Sequence, residues 1–309
     1  MNKTTKKAFT LIELLVVIAI IGILSGLIIF STQGAIKKAI LTKSQVFSNS
    51  IRNALLGYMI SEWKFDGGNT SGDPATSIDV LDTWSGANNG NISPTPPTIY
   101  TGTDCISGSC LSFDGQSNYI NFGSDSSLSM RTGDQTVSFW VYFENPIIPQ
   151  FETILICGAQ DVGQDGYWIR RSNKTRLDLY FSDGGSPIVG YLSNEDAFLE
   201  NVWYHVVVVF DRDSVAQAYI NGVKQDVSVD ISSQQGDIIN YIPFSVGAFP
   251  SPLHRLEGRI DEIRVYNAII PIFRIQEQYY ANLNKLFTKG AISSVEYYSR
   301  INEISSIDF

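Results

Sequence analysis

Two segments give the clearest prediction of the fold: Trp203-Tyr-His-Val-Val-Val-Val-Phe-Asp211 and Gln217-Ala-Tyr-Ile-Asn-Gly-Val-Lys224. The first is almost wholly apolar, which is typical of a strand buried on both faces at the centre of a sheet. The second alternates apolar and polar residues around Asn221-Gly222, a dipeptide that favours a two-residue hairpin turn. The two segments therefore predict a central strand that leads into an antiparallel hairpin.

Further strands are predicted on both sides of this pair. Thr136-Val-Ser-Phe-Trp-Val-Tyr142 and Arg176-Leu-Asp-Leu-Tyr-Phe181 also alternate with a period of two residues. Short turn sequences separate the runs throughout the chain from Trp63 onward, including Asp66-Gly-Gly, Asp114-Gly115 and Asp183-Gly-Gly. Turns at this density indicate a mainly β protein built as an antiparallel sandwich or jelly roll.

Several segments resemble the laminin-G-like, concanavalin A-like jelly roll. They occur in family order over residues 63–282 and include Trp63-Lys-Phe-Asp66, Cys110-Leu-Ser-Phe-Asp-Gly115, Tyr119-Ile-Asn-Phe-Gly123, the Trp203 strand, Tyr219-Ile-Asn-Gly222 and Gly258-Arg-Ile-Asp-Glu-Ile-Arg-Val-Tyr266. The resemblance implies a module that binds carbohydrate or protein. Modules of this family often hold a calcium ion, so the resemblance also implies a candidate calcium site.

Candidate site residues follow from these expectations. A calcium ion needs several oxygen ligands, and Asp82 and Asp261 are the positions to inspect; the alternative is that both accept hydrogen bonds from backbone groups. Trp84, Tyr167 and Trp168 lie near glycine-rich loops, where exposed aromatic rings could stack on sugars. The alternative for these three is burial, because large aromatic side chains are mostly packed inside.

Catalytic patterns and a nucleic-acid site are not expected. The two histidines, His205 and His254, are not in a His-Glu-x-x-His pattern, and no Gly-x-Ser-x-Gly motif occurs. Asp261 and Glu262 are adjacent, so a regular strand would place their carboxylates on opposite faces, which does not suit the paired carboxyl groups of a glycosidase. The formal net charge of −9 disfavours binding to phosphate backbones. The sequence therefore predicts a binding protein and not an enzyme.

The N-terminus carries a different signal. Lys3, Lys6 and Lys7 precede Ala8. An apolar run, Phe9–Phe30, follows, and the polar residues in its first two turns are Thr10 and Glu13. As a helix rising ~1.5 Å per residue it matches the ~30 Å apolar core of a bilayer, with the lysines on the cytoplasmic side. Glu13 in lipid costs about 2.5–3.5 kcal/mol, so a partner for its charge is expected.

One stretch of this segment is similar to the cleavage and methylation motif of type IV pilins and type II secretion pseudopilins. It reads Lys6-Lys-Ala-Phe-Thr-Leu-Ile-Glu-Leu-Leu-Val-Val-Ile-Ala-Ile-Ile-Gly-Ile-Leu24. The resemblance implies that a prepilin peptidase cuts between Ala8 and Phe9 and methylates the new amine. Glu13 then pairs with such an amine during assembly with other subunits. Ala8 departs from the glycine usual in this family. The alternative is an uncleaved anchor or an ordinary secretory signal.

The flanking segments complete the predicted organisation. Residues 1–8 form the leader, and 9–62 form the pilin-type helix, whose amphipathic part reaches about Ser61. Residues 283–309 form a tail that is predicted as a helical hairpin, with Ser293-Ser-Val-Glu296 as a capping box, or as a frayed end. Cys105 and Cys110 bracket a short turn and are predicted to form a disulfide in an oxidising compartment, the alternative being two reduced thiols. Cys157 is predicted as a buried thiol.

The combined prediction is a subunit, of the minor kind, of a type IV pilus-like or pseudopilus-like filament that displays a laminin-G-like adhesion domain. Its precursor is expected in the bacterial inner membrane, and the mature form in a surface filament or a periplasmic pseudopilus. The rival is a membrane-anchored binding protein for glycans or proteins that never polymerises.

Replacing Glu13 by Val should leave membrane insertion intact but abolish filament assembly, because the apolar run is kept and the charge that pairs with a neighbouring amine is lost. Cell fractionation measures insertion, and recovery of sheared filaments measures assembly. The conservative variant Ile12→Val is the control. Filaments of normal yield from Glu13→Val would contradict the role given to this acid.

Overall fold

The computed structural model describes residues 11–12, 14–21, 55, 57–145, 151–158, 164–173, 175–239, 241–247 and 254–305. Residues 11–12 and 14–21 have helical backbone, and their apolar side chains are exposed. Within the described ranges, no helix combines the length and the apolarity needed to cross a bilayer. The predicted processing and assembly residues Ala8, Phe9 and Glu13, and most of the predicted membrane helix, lie outside these ranges.

Fifteen strands and two long helices make up the described part of the chain from residue 57 onward. The strands are β1 Met59–Trp63, β2 Asn91–Ile92, β3 Thr98–Thr101, β4 Ser109–Asp114, β5 Ile120–Asn121, β6 Gln135–Phe143, β7 Phe151–Cys157, β8 Asp165–Ser172, β9 Leu177–Asp183, β10 Ile188–Tyr191, β11 Trp203–Phe210, β12 Val215–Ile220, β13 Val223–Asp230, β14 Ser245–Val246 and β15 Glu257–Tyr266. The helices are α1 Ile272–Thr288 and α2 Ser294–Ser305, and 3₁₀ turns span Ser77–Val80 and Gly102–Asp104.

The strands form two antiparallel sheets that pack face to face. The larger sheet has the order β13-β12-β11-β6-β15-β4-β3, and β1 pairs with the second half of β15 beside β4. The smaller sheet has the order β10-β9-β8-β7-β14-β5-β2. This arrangement confirms the predicted mainly β sandwich.

The core lies between the sheets and consists of alternate residues from each strand. In the smaller sheet one inner row crosses five strands, through Ile120, Val246, Leu155, Ile169 and Leu179. These side chains belong to the same buried cluster as Val206, Val208 and Phe139 of the larger sheet. Period-two alternation therefore divides nearly every strand into a core side and an outer side.

The segment that begins at Trp203 forms the predicted central strand. β11 lies between β12 and β6, and all eight of its residues are buried. The following hairpin turns at Asn221 and Gly222, whose φ values of 53° and 79° suit a primed two-residue turn. Both predictions are confirmed.

The predicted ends of the domain need two corrections. The N-terminal helix was expected to reach Ser61, but β1 begins at Met59, because Met59–Trp63 pair with β15 and enter the sandwich. The predicted boundary at residues 282 and 283 falls inside α1, which continues to Thr288. Buried residues at helical spacing continue beyond residue 283, so α1 extends to Thr288.

α1 and α2 form the predicted helical hairpin. Gly290 between them has φ +80°, and the Ser293 hydroxyl accepts a hydrogen bond from the Glu296 N–H at 3.1 Å, as expected for the N-cap of α2. We call α1, the turn and α2 the C-terminal hairpin.

The C-terminal hairpin covers the outer face of the larger sheet. Tyr279 of α1 stacks on Trp140 of β6, with ring centroids 5.7 Å apart. Both side chains are completely buried in a second apolar cluster that joins the sheet to the hairpin. A polar row lies beside it: the Ser138 hydroxyl is 3.0 Å from Nε2 of His205, and Gln278 donates to the Tyr266 hydroxyl at 3.0 Å.

A bulge in β15 brings two acids to this covered face. Glu262 has φ 52°, and the pairing register with β6 shifts between Asp261 and Arg264. The Glu262 carboxylate contacts Arg264 and Lys285, while Asp261 accepts hydrogen bonds from the backbone of residues 106 and 107. The expectation that these two side chains point to opposite faces is therefore wrong, because the strand is not regular here.

The predicted disulfide between Cys105 and Cys110 is present, and its loop abuts the C-terminal hairpin. Lys289 donates hydrogen bonds to the carbonyl oxygens of Gly102, at 2.7 Å, and of Cys105. Cys157 is buried in the core, as predicted.

Truncating Tyr279 to Ala should lower the free energy of unfolding by about 3–5 kcal/mol, because a fully buried aromatic ring leaves a cavity against Trp140. Tyr298→Ala is the matched control, since Tyr298 lies on the same hairpin but is 56% exposed. Urea denaturation followed by tryptophan fluorescence measures both variants. Equal losses for the two would contradict the packing described.

The stability of the domain should fall as the pH drops below about 6.5, partly through His205. Burial, with a smaller contribution from Arg264, lowers the pKa of His205 from 6.5 to about 3, so the native state keeps this ring neutral while the unfolded state binds a proton. The loss is at most ~1.4 kcal/mol for each pH unit between 6.5 and 3. His205→Gln keeps a polar partner for Ser138 and should show a flatter pH profile. Profiles of equal slope would contradict this assignment.

Candidate functional site

The outer face of β8, β9 and β10 gathers aromatic and charged side chains in two cross-strand rows. One row runs Trp168, Tyr180 and Val189, and the next runs Arg170, Asp178 and Tyr191. We call this surface, together with Phe151 of β7, the aromatic face. None of its residues belongs to the apolar clusters that the larger sheet forms with the described helices.

The aromatic face has a buried floor and exposed walls. Arg170 and Tyr180 are each 8% exposed, and Asp178 is buried. Tyr191 is 47% exposed at the edge strand, whereas Trp168 and Phe151 are half-buried. The surface therefore combines buried polar groups with partly exposed aromatic rings, and we refer to this strip as the groove.

Arg170 lies between two of the rings. Its guanidinium carbon is 3.8 Å from the centroid of Phe151 and 4.8 Å from that of Trp168. Burial lowers the pKa of Arg170, although Asp178 across the row counteracts it. Among the described residues, Nε of Arg170 has no hydrogen-bond acceptor. A buried donor of this kind is costly unless a ligand or water accepts from it.

A second arginine fixes the rim. The Arg176 guanidinium carbon is 3.2 Å from the centroid of Tyr191, and its Nε is 3.5 Å from Asp178. Its Nη1 is 3.3 Å from Glu195. The Tyr191 ring is thus held in place by a cation while almost half of the residue remains exposed.

The chemistry of this groove suits a ligand with apolar faces and polar edges. Aromatic rings present planar apolar surface at a low cost in side-chain entropy, and fixed polar groups set the orientation of what stacks on them. A sugar ring has this character, because its axial C–H groups form an apolar face and its hydroxyl groups lie around the rim. The groove can therefore bind carbohydrate by stacking and hydrogen bonding.

The three predicted aromatic ligand residues are not brought together. Trp168 lies on the aromatic face, half-buried, and its Nε1 donates to the Thr153 hydroxyl at 3.0 Å. For Tyr167 the alternative of burial holds: it is completely buried between the sheets, with its ring 4.7 Å from that of Phe210, because successive strand residues face opposite sides. Trp84 packs on a third cluster, beside the outer face of the larger sheet.

Asp82 organises a loop. Its carboxylate accepts hydrogen bonds from the backbone N–H groups of Glu62 at 3.2 Å, Trp84 at 3.0 Å and Ser85 at 3.2 Å. Burial opposes ionisation, but these bonds and the Ser85 hydroxyl outweigh it and lower the pKa of Asp82. This is the backbone-binding alternative considered for Asp82.

Asp261 is also bound to backbone groups. Its Oδ2 accepts from the N–H groups of Ile106 at 2.9 Å and Ser107 at 3.1 Å. Burial, and then the negative charge of Glu262, raise the pKa of Asp261 well above its usual range, whereas Lys285 and Arg264 overcome burial and lower that of Glu262 to about 2. Within the described ranges, no three acidic, cysteine or histidine side chains are arranged to hold a metal ion. Calcium binding stays a prediction.

Seven residues of the groove were not among the sequence candidates: Phe151, Arg170, Arg176, Asp178, Tyr180, Val189 and Tyr191. A signal for three of them was present, because alternation in Arg176-Leu-Asp-Leu-Tyr-Phe181 places Arg176, Asp178 and Tyr180 on one side and apolar residues on the other. By the same alternation, Trp168 and Arg170 lie on one side of β8.

The two antiparallel sheets and the groove on the smaller one define a lectin-type jelly roll. The chain belongs to the concanavalin A-like lectin/glucanases superfamily, whose sequence profile matches residues 114–270, just over half of the chain. A second profile, the prokaryotic N-terminal methylation motif, matches residues 3–29. The prepilin-type motif and the jelly roll are therefore both present in one chain.

Solved structures share the fold at low sequence identity. The binding domain of Paraclostridial Mosquitocidal Protein 1 is 17% identical, with a TM-score of 0.56 over 73% of this chain and 52% of that chain. Domain 4 of the extracellular arabinanase AbnA from Geobacillus stearothermophilus, in complex with arabinotriose, is 18% identical, with a TM-score of 0.50 over 71% and 96% of the two chains. The botulinum neurotoxin serotype D ligand-binding domain, in complex with N-acetylneuraminic acid, is 14% identical, with a TM-score of 0.54 over 75% and 53%.

Relatives in sequence are fimbrial proteins. The fimbrial protein of Neisseria meningitidis serogroup B (strain MC58) is 34% identical over 77 residues, and that of serogroup A (strain Z2491) is 32% identical over the same length. The match covers 25% of this chain and 45% of each relative, so the chain spans less than half the length of the curated relatives it matches.

Proposed function

We propose that this protein is a subunit, of the minor kind, of a type IV pilus-like or type II pseudopilus-like filament, and that its jelly roll binds carbohydrate through the aromatic face. The observation that carries the proposal is the union of a prepilin-type motif at residues 3–29 with a concanavalin A-like domain in one chain. The first supplies a route into a filament, and the second supplies the displayed binding surface.

The apolar N-terminal helix supports assembly. Its described residues are apolar all round and exposed in the single chain, Leu11 by 80% and Ile12 by 72%. A helix of this kind needs lipid or neighbouring helices to cover it. In the proposed sequence of events the precursor lies in the inner membrane with a cytoplasmic N-terminus. Prepilin peptidase then removes the leader, and the helix packs among those of other subunits.

The groove supports binding rather than catalysis. Hydrolysis of a glycosidic bond needs two carboxyl groups set on either side of the bond. The acid on the floor of the groove, Asp178, is buried and ion-paired with Arg176, and Glu195 at the rim contacts the same arginine. These acids hold the arginine and its tyrosine in place, which is a binding role.

A second candidate is a membrane-anchored binding protein that never polymerises. Ala8 favours it, because the family's cleavage site usually has glycine at this position. The jelly roll and its groove would serve the same ligand in either case.

Mature protein from cells should begin with an N-methylated Phe9, because the peptidase acts between Ala8 and Phe9. Mass spectrometry of the N-terminal peptide measures this directly. Detection of the chain only with residues 1–8 still attached would contradict filament membership and leave the anchored alternative.

Binding of the full chain in detergent to immobilised glycans should be about 5- to 150-fold weaker in Tyr191→Ala and Trp168→Ala, since removing a stacking ring costs about 1–3 kcal/mol. The matched control is Tyr298→Ala, which removes an exposed tyrosine from the C-terminal hairpin and should bind like the natural protein. Undiminished binding by both groove variants would contradict the assignment of the site.

A further inference from the structure

A cavity of about 210 Å³ lies on the opposite side of the sandwich, where the C-terminal hairpin meets the ends of three central strands of the larger sheet. We call it the junction pocket. Its lining comes from strands β6, β11 and β15, from the loop that ends at the disulfide, and from the hairpin, and it includes Asp104, Tyr142, Asn201, Trp203, Arg259 and Arg300. It shares no residue with the aromatic face.

One wall of the junction pocket is aromatic. The rings of Tyr142 and Trp203 lie 5.5 Å apart at an angle of 54°. Trp203 is fixed, because it is 7% exposed and its Nε1 donates to the Asp104 carbonyl oxygen at 3.1 Å. Leu286 and Ile292 of the hairpin add apolar surface. A flat apolar face of a ligand could rest against this wall.

The charged groups of the junction pocket neutralise one another. Arg300 donates to the Trp203 carbonyl oxygen at 3.0 Å and to the Glu296 carboxylate at 2.7 Å. Arg259 donates through Nε to Glu144 at 2.9 Å and through Nη1 to Asp104 at 3.3 Å. Each arginine already has a carboxylate partner, so a charged ligand would have to compete with an existing ion pair whose carboxylate is partly exposed.

Donors and acceptors remain for a neutral ligand. Asn201 accepts from the Tyr142 hydroxyl at 3.2 Å through its Oδ1, which leaves its Nδ2 free to donate to a ligand. Asp104 is about half exposed, so its oxygens can accept from a ligand as well. Hydroxyl groups both donate and accept, and they match this mixture better than an acid or an amine does.

We propose that the junction pocket binds a single neutral monosaccharide unit, the terminal residue of a glycan. Pockets for drug-sized ligands measure about 300–1,000 Å³, so this smaller cavity suits one sugar ring. The aromatic face is an open groove across three strands and suits internal residues of a sugar chain. The two sites would therefore read different parts of a glycan, and the second does not depend on the first.

Saturation-transfer NMR on the full chain in detergent tests the proposal. The probes are the methyl glycosides of glucose, galactose, mannose and N-acetylglucosamine, with glucuronic acid and glucosamine as charged comparators. At least one neutral glycoside should receive saturation and the charged sugars less. Asn201→Gly suits the positive φ of 59° at this position, removes the amide, and should weaken binding about 2- to 10-fold. Tyr142→Ala removes the wall and should abolish the signal.

Three further results decide the matter. Tyr298→Ala should leave the signal unchanged, and a thermal melt of each variant confirms that it is folded. Loss of the monosaccharide signal in Trp168→Ala but not in Tyr142→Ala would assign binding to the aromatic face and overturn the junction pocket. Absence of a signal with every neutral glycoside, or a signal only with a charged sugar, would also overturn it, while glycan-chain binding lost in Tyr191→Ala would still support the proposed function.

Discussion

The outer face of the larger sheet cannot be left in water, and this constraint shapes the rest of the molecule. Trp140, Tyr266 and Val207 point outward from three adjacent strands, and all are almost completely buried. A two-sheet sandwich hides only its inner faces, so an additional layer is needed wherever an outer face is apolar. The C-terminal hairpin is that layer. Its removal would expose a contiguous apolar surface of a kind that soluble monomers rarely carry.

Charge fixes the hairpin in one position on the sheet. Lys285 of α1 reaches Glu262 at 3.5 Å, and Lys289 reaches the backbone of the disulfide loop. Slippage of the helix would take Lys285 away from the buried Glu262 carboxylate and leave Arg264 of the same strand as its partner, so it is penalised beyond the loss of apolar packing. The bulge that brings Asp261 and Glu262 to the same side is the backbone feature that makes this arrangement possible. The same docking also creates the junction pocket between hairpin and sheet.

With the larger sheet covered, the proposed ligand surface lies on the smaller sheet. Its outer rows combine rings and arginines at a spacing set by the strands, since neighbouring strands lie about 4.8 Å apart and place Trp168, Tyr180 and Val189 side by side. The prepilin-type motif matches residues 3–29, and β1 enters the larger sheet at Met59. A filament built through that segment would present the sandwich as its displayed part.

Much of this architecture was predictable, and the failures have local causes. Period-two alternation and the Asn221-Gly222 turn identified the sandwich because they depend on neighbours in sequence. Tyr167 and Trp168 were treated alike although alternation places them on opposite sides, and the arginine at position 170 shares the side of Trp168. The bulge at Glu262 and the start of β1 at Met59 depend on pairing with distant strands, which composition and periodicity do not reveal.

Hydroxyl-radical footprinting of the full chain in detergent tests most directly the claim that one outer face is covered and the other is available. The account predicts rapid oxidation of Tyr191, intermediate oxidation of Trp168, and protection of Trp140 and Tyr279 for as long as the protein is folded. Oxidation of Trp140 and Tyr279 as fast as that of Tyr191 would contradict it.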